Sequence, residues 1–262
     1  MKNRLLTVAV LGLLVFTAKG IQAQDATINY VQEERSVKPQ LGTLLSRVPF
    51  VGKNGFRSCA EILPAPKINL YTSYGKLQYD FSRDRAYLTG ASKKFGIIEQ
   101  GLFTSGLAVV EVAWEISLST LSHTLNNGQI CVVPSSIDVY IGYKNPVIYV
   151  DNALKPHTCQ YNLVVRHEQT HQQINKTTLE YFLPMFYNAV GRIAQSVEVQ
   201  KVRQIKDIDG ATAELTRQYA IRLEPLIELF KRELMLEQGK LDNHTNYEME
   251  GQLCKKSSRR QR

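Results

Sequence analysis

The stretch VEVAWEISLS (110–119) alternates without a break, and this constrains the fold more than any other feature of the chain. Val110, Val112, Trp114, Ile116 and Leu118 share one side, and Glu111, Ala113, Glu115, Ser117 and Ser119 share the other. Strict period two over such a length is the pattern of a half-buried strand in an antiparallel sheet. Glu111 and Glu115 then lie on the wet face as solvated charges, not as a paired acid site. Leu77, Tyr79 and Phe81 alternate in the same way with Lys76, Gln78 and Asp80. NNG (126–128) marks a turn, and QICVVPSSIDVYIGY is a further strand with Ile137, Val139 and Ile141 inward. KNP (144–146) reads as another turn before the short apolar strand VIYV (147–150). The period changes after that. Thr158 to Phe182 holds no glycine and no proline, so a helix is expected there, broken or kinked at Pro184. A second helix is expected from Met185 to about Lys206, then the break DIDG (207–210) with Asp209 as N-cap. A third carries Leu215, Tyr219, Leu223, Leu226, Phe230 and Leu234 at helical spacing, bends at Pro225 and is capped by Gly239. Strands first and helices after means an α+β fold: an antiparallel sheet followed by a helical part.

The two ends set the class of protein. Residues 1–23 have the layout of a signal peptide: Lys2 and Arg4, the apolar run LLTVAVLGLLVFTA, then a small Ala23 at the cleavage point. The run is short for a membrane span, and no later stretch is long and apolar enough for one. Residues 24–66 read as an irregular lead-in, 67–254 as the folded domain, and 255–262 as a basic disordered tail. The formal charge of +8 loses Lys2, Arg4 and Lys19 with the leader, and KKSSRRQR accounts for five of what remains. The body is near neutral, so nucleic-acid binding has no support, and the tail offers at most a weak contact with an anionic surface. A secreted or periplasmic location follows, and there the four cysteines Cys59, Cys131, Cys159 and Cys254 are expected to form two disulfides. Cys131–Cys159 with Cys59–Cys254 is the favoured pairing, since the first would tie a strand to the start of the helix.

That helix carries VVRHEQTHQQ (164–173), which contains H-E-x-x-H. His167 and His171 are one turn apart and project from the same side, so both imidazoles can reach one metal ion. Glu168 is rotated by roughly 100° from His167, beside the ligands, where it can take a proton from a water without binding the metal. Zinc lowers the pKa of such a water toward about 7 and polarises a carbonyl. The pattern therefore points to zinc-dependent hydrolysis of a peptide or amide bond, with Glu168 as general base.

The helix LVVRHEQTHQQI, the strand pair before it and the late LDNHTNYEMEGQ (241–252) resemble the predicted secreted zinc-dependent proteases of bacteria, over roughly residues 65–252. The resemblance implies a zincin-like fold, zinc on His167 and His171, and Glu168 as the base. Where that family carries a histidine after T-x, this chain has Tyr247, so the third ligand stays open. Ile174 and Thr177 exclude the extended metzincin pattern, and Glu180 points away along the helix. His244 is the foremost candidate, with Glu198, Tyr247 and Glu248 as alternatives; Tyr247 could instead hydrogen-bond an oxyanion. NKT (175–177) and NHT (243–245) match the glycosylation pattern by chance. A rival reading from another class is a non-catalytic envelope protein that keeps the metal for structure.

Overall fold

The chain order of elements in the computed structural model is β1 (Val8–Leu11), β2 (Arg35–Ser36), β3 (Lys67–Thr72), β4 (Gln78–Asp80), α1 (Arg85–Lys94), β5 (Gly106–Thr124) and β6 (Ile130–Val150). Then come α2 (Cys159–Ser196), β7 (Gln200–Val202), a 3-10 turn (Ile205–Asp207), α3 (Ile208–Leu241) and α4 (His244–Arg260). The structure describes residues 8–11, 35–36, 59, 64–94, 103–197 and 199–260. β1 falls within the expected leader and pairs antiparallel with Val109–Val112.

The hairpin of β5 and β6 is the spine of the sheet, and Gly128 at φ 79 turns it in the expected NNG. The sheet is mixed, however. β5 and β7 run antiparallel to β6, whereas β3 and β4 run parallel to it. The expected turn at KNP is instead a β-bulge inside β6: the register with β5 shifts between Val109↔Val147 and Glu111↔Lys144, with Asn145 at φ 50. Asparagine tolerates that left-handed conformation, so a local turn signal is absorbed by the ladder. A second shift falls between Ser119↔Ser136 and Thr120↔Pro134, where proline has no N–H to give the ladder.

One face of the sheet packs on the two long helices. Val110, Val112, Ile116, Ile137, Val139 and Ile141 are buried there against Leu179, Phe182, Phe186 and Val190 of α2. Tyr219, Leu223, Ile227, Phe230 and Leu234 of α3 complete the layer. The helical spacing of these residues explains why α2 does not end at Pro184. A proline inside a helix costs about 3 kcal/mol, but Leu183 and Phe186 on either side are buried, and each such side chain contributes about 1.5–3 kcal/mol. The helix runs unbroken to Ser196, and β7 replaces the last turns of the second helix expected there. In the same way α3 passes through Pro225 and Gly239 to Leu241, and Asp207, not Asp209, stands at its N-cap.

Both disulfides expected from the even cysteine count are present, with a different pairing. Cys59 joins Cys131 at the start of β6, and Cys159 at the start of α2 joins Cys254 in α4. Topology decides this: α4 returns alongside the first turns of α2. No helix among the described residues is long and apolar enough to cross a membrane. Helix α4 also extends to Arg260, into the segment expected to be a disordered tail.

Candidate metal centre

Thr158 opens α2 by accepting a hydrogen bond from the Tyr161 amide through its side chain. Two turns later His167 and His171 face α3 and α4, and Glu168 faces the start of β5. All three are buried, with 1, 0 and 2 % of their surface exposed. The ring nitrogens His167 Nε2 and His171 Nε2 lie 3.2 Å apart. Asp242 Oδ1, at the C-cap of α3, lies 3.0 Å from His171 Nε2 and 3.7 Å from His167 Nε2. Four donors arranged tetrahedrally at about 2.0–2.1 Å from a zinc ion stand about 3.3 Å from one another. The three observed separations bracket that value.

The partners on the other side of each ring fix the tautomers. Gln238 Nε2 donates to the His171 carbonyl at 3.1 Å and to Asn175 Oδ1 at 2.6 Å, which leaves Gln238 Oε1 toward His171 Nδ1. An amide oxygen can only accept, so Nδ1 of His171 carries the proton. His167 Nδ1 likewise meets the Glu250 carboxylate, at 3.1 Å to Oε2. With both Nδ1 atoms acting as donors, the neutral rings present Nε2 lone pairs to each other and to a carboxylate oxygen. Three acceptors within 3.7 Å repel unless a cation lies between them. A proton is one such cation. Burial alone would lower the His167 pKa, but the Asp242 and Glu250 hydrogen bonds outweigh it and raise it to about 9. A divalent metal ion is the other, and histidines oriented by a carboxylate and an amide on their far nitrogens are what such an ion requires.

Glu168 occupies a tight cradle. A Cβ added at Gly106 would come within 2.5 Å of Glu168 Oε1 and of Val164 Cγ1, so any larger residue there forces these side chains to shift. The Ala108 amide donates to that carboxylate. Burial nevertheless raises its pKa to about 7, the two histidines pulling it back only in part. Among the described residues, no hydrogen-bond partner meets the buried Glu168 Oε2. A carboxyl with a pKa near neutrality and one uncommitted oxygen beside a cation site is suited to accept and return a proton.

Of the expected ligands, His167 and His171 converge and Asp242 joins them, two residues before His244. The His244 side chain and residue Glu198 lie outside the described residues. Tyr247 sets its ring 5.9 Å from that of His167, and Glu248 is exposed. Glu180 accepts a hydrogen bond from Tyr74 at 2.9 Å, away from the centre as expected. Asn175 is buried in the Gln172–Gln238 network. Sequence reasoning missed Asp242, Gln238, Glu250 and Gly106. One faint signal existed, since Gln238 and Asp242 are spaced i, i+4 like the histidines they meet. No family model matches the chain, and neither a curated protein nor a solved structure does so.

Proposed function

We propose that this chain is an exported zinc-dependent hydrolase that cleaves peptide or amide bonds, with a zincin-like arrangement of the H-E-x-x-H helix against a sheet. The observation that carries the reading is the convergence of His167 Nε2, His171 Nε2 and Asp242 Oδ1, with both Nδ1 protons already donated outward. Bound there by three protein ligands, a zinc ion supplies acidity to a water and polarises a carbonyl. The rest belongs to the chain. Glu168 holds the proton at its carboxylate and passes it to the departing amine, in reach because Gly106 leaves room for its side chain. Gln238 and Glu250 keep the rings in the metal-binding tautomer, and Tyr247, whose ring packs on that of His167, is our candidate donor to a developing oxyanion. Two disulfides suit an oxidising compartment outside the cytosol.

The near-complete burial of the site favours one other reading, a metal kept for structure alone in a non-catalytic envelope protein. Glu168→Gln separates the two. The purified oxidised chain is loaded with zinc and incubated with a mixed peptide library, with and without a chelator. A hydrolase cleaves in a chelator-sensitive way, and Glu168→Gln abolishes cleavage while zinc stays bound. Absence of cleavage in wild type, with zinc held in both forms, would leave the structural reading standing.

A further inference from the structure

Helix α4 lies over the metal centre, and its described side chains, 245–254, bury little. From Thr245 to Cys254 only Gly251 and Cys254 are buried, while Thr245, Glu248, Met249, Gln252 and Leu253 are exposed. Helix α2, by contrast, buries residues along its whole length from Leu163 to Ala194. Over 245–254 so small an apolar footing gains little from docking, since each fully buried aliphatic side chain is worth about 1.5–3 kcal/mol and this stretch has none. Among the described residues, its contacts with α2 include three that fall at the metal centre and at the start of α2. Glu250 meets His167 Nδ1 at 3.1 Å, Tyr247 packs on the same ring, and Cys254 is bonded to Cys159. Cys254 is fully buried beside Leu163, whereas Cys159 is half-buried at the opening of α2. Two of these contacts fall on His167, which is 1 % exposed beneath the helix. Covalent closure at Cys254 therefore keeps a weakly docked helix, and the carboxylate that orients His167, at the metal centre.

We infer that α4 is a strap over the metal centre and that the Cys159–Cys254 disulfide is its latch, so that opening this bond exposes the site and loosens its hold on the ion. The inference rests on the metal reading above and adds its regulation. The opening reagent is a dithiol. One of its thiolates attacks Sγ of Cys159, the less buried of the two residues; the Cys159–Cys254 bond breaks, and Cys254 leaves as a thiolate that takes up a proton. The second thiol of the reagent then displaces Cys159 from the mixed disulfide. Two electrons pass to the protein, two cysteine thiols remain, and the reagent ends as its own disulfide. Cys59–Cys131 ties β6 at another point.

The test is zinc release from the full oxidised chain to a chromophoric chelator, compared with a Cys159→Ser/Cys254→Ser variant that keeps Cys59–Cys131. Loss of an outer partner of a metal-bound histidine weakens binding about 10–100-fold, so release from the variant is expected to be at least about tenfold faster. Amide exchange over 244–254 should rise with it. Should the variant fail to fold, graded dithiothreitol on the wild type, with the opened cysteines identified by alkylation, gives the same comparison, and Glu250→Gln tests the His167 contact with the latch intact. Zinc bound in both forms with equal release rates and unchanged exchange over 244–254 overturns the latch and leaves the metal reading intact. Failure of both forms to bind zinc overturns the metal reading, and the latch with it.

Discussion

Replacing Gly106 by alanine probes the joint between sheet and motif helix. The new methyl would sit 2.5 Å from both Glu168 Oε1 and Val164 Cγ1, and 2.9 Å from Glu168 Cγ. Ordinary contact needs about 3.5–4.0 Å, so both the carboxylate and the Val164 side chain must yield by about 1 Å. Val164 is buried in a small cluster with Ala108, Ile148 and Val150, and its retreat carries the packing cost. Glu168 has the softer side chain and is the group that moves further. Overpacking of this kind costs about 1–3 kcal/mol, and a displacement of about 1 Å in a reacting group costs on the order of 10²-fold in turnover. Gly106→Ala is therefore expected to keep its zinc, lose about 1–3 kcal/mol in urea unfolding, and fall about a hundredfold in kcat on any peptide the wild type cleaves. Wild-type stability together with wild-type turnover would refute the cradle. Loss of zinc with no loss of stability would place the steric effect on the histidines, not on Glu168.

Asp242→Ala removes one of the three converging atoms and should weaken zinc binding by more than the 10–100-fold expected of an outer partner, measured by competition with a calibrated chelator. Gln238→Leu leaves the His171 Nδ1 proton, the His171 carbonyl and Asn175 Oδ1 without their amide partner in a buried site, and about 1–3 kcal/mol of stability should go with it in a denaturant titration. The metal-free chain should lose stability as pH rises. Glu168 is raised from 4.5 to about 7 and His167 from 6.5 to about 9, so the folded chain binds more protons than the unfolded one across that range. Stability is then fully present below about 4.5 and declines until pH passes about 9. Added zinc should remove the part of the decline above about 6.5, because the ion replaces the His167 proton. A flat thermal-unfolding profile from pH 5 to 9 without metal would contradict that assignment.

What could be read from the sequence was whatever depends on a repeating period. Ten alternating residues marked β5, and the two histidines, one turn apart, marked a shared face of α2. Local breakers misled where packing outweighs them: Pro184 and Pro225 lie inside helices whose buried stripes continue past them, and KNP becomes a bulge because β6 is held on both sides. Ile227, next to the expected Leu226, takes the fully buried place on α3 for the same reason, since the helix turns to suit the sheet. Asp242 carried no periodic signal. A single acid at a helix end looks like a cap, and only the return of α3 antiparallel to α2 brings it to the histidines. The disulfide pairing was hidden likewise, because Cys254 is placed by the path of α4 and not by its spacing from any other cysteine.

Metal content of the purified, oxidised chain tests the account most directly. After loading with zinc and removal of excess, the wild type should retain one ion per chain, and a His167→Ala/His171→Ala variant with the same far-ultraviolet circular dichroism should retain none. A wild-type chain that stays metal-free under every loading condition, with its fold intact, would contradict the assignment of His167, His171 and Asp242 as ligands.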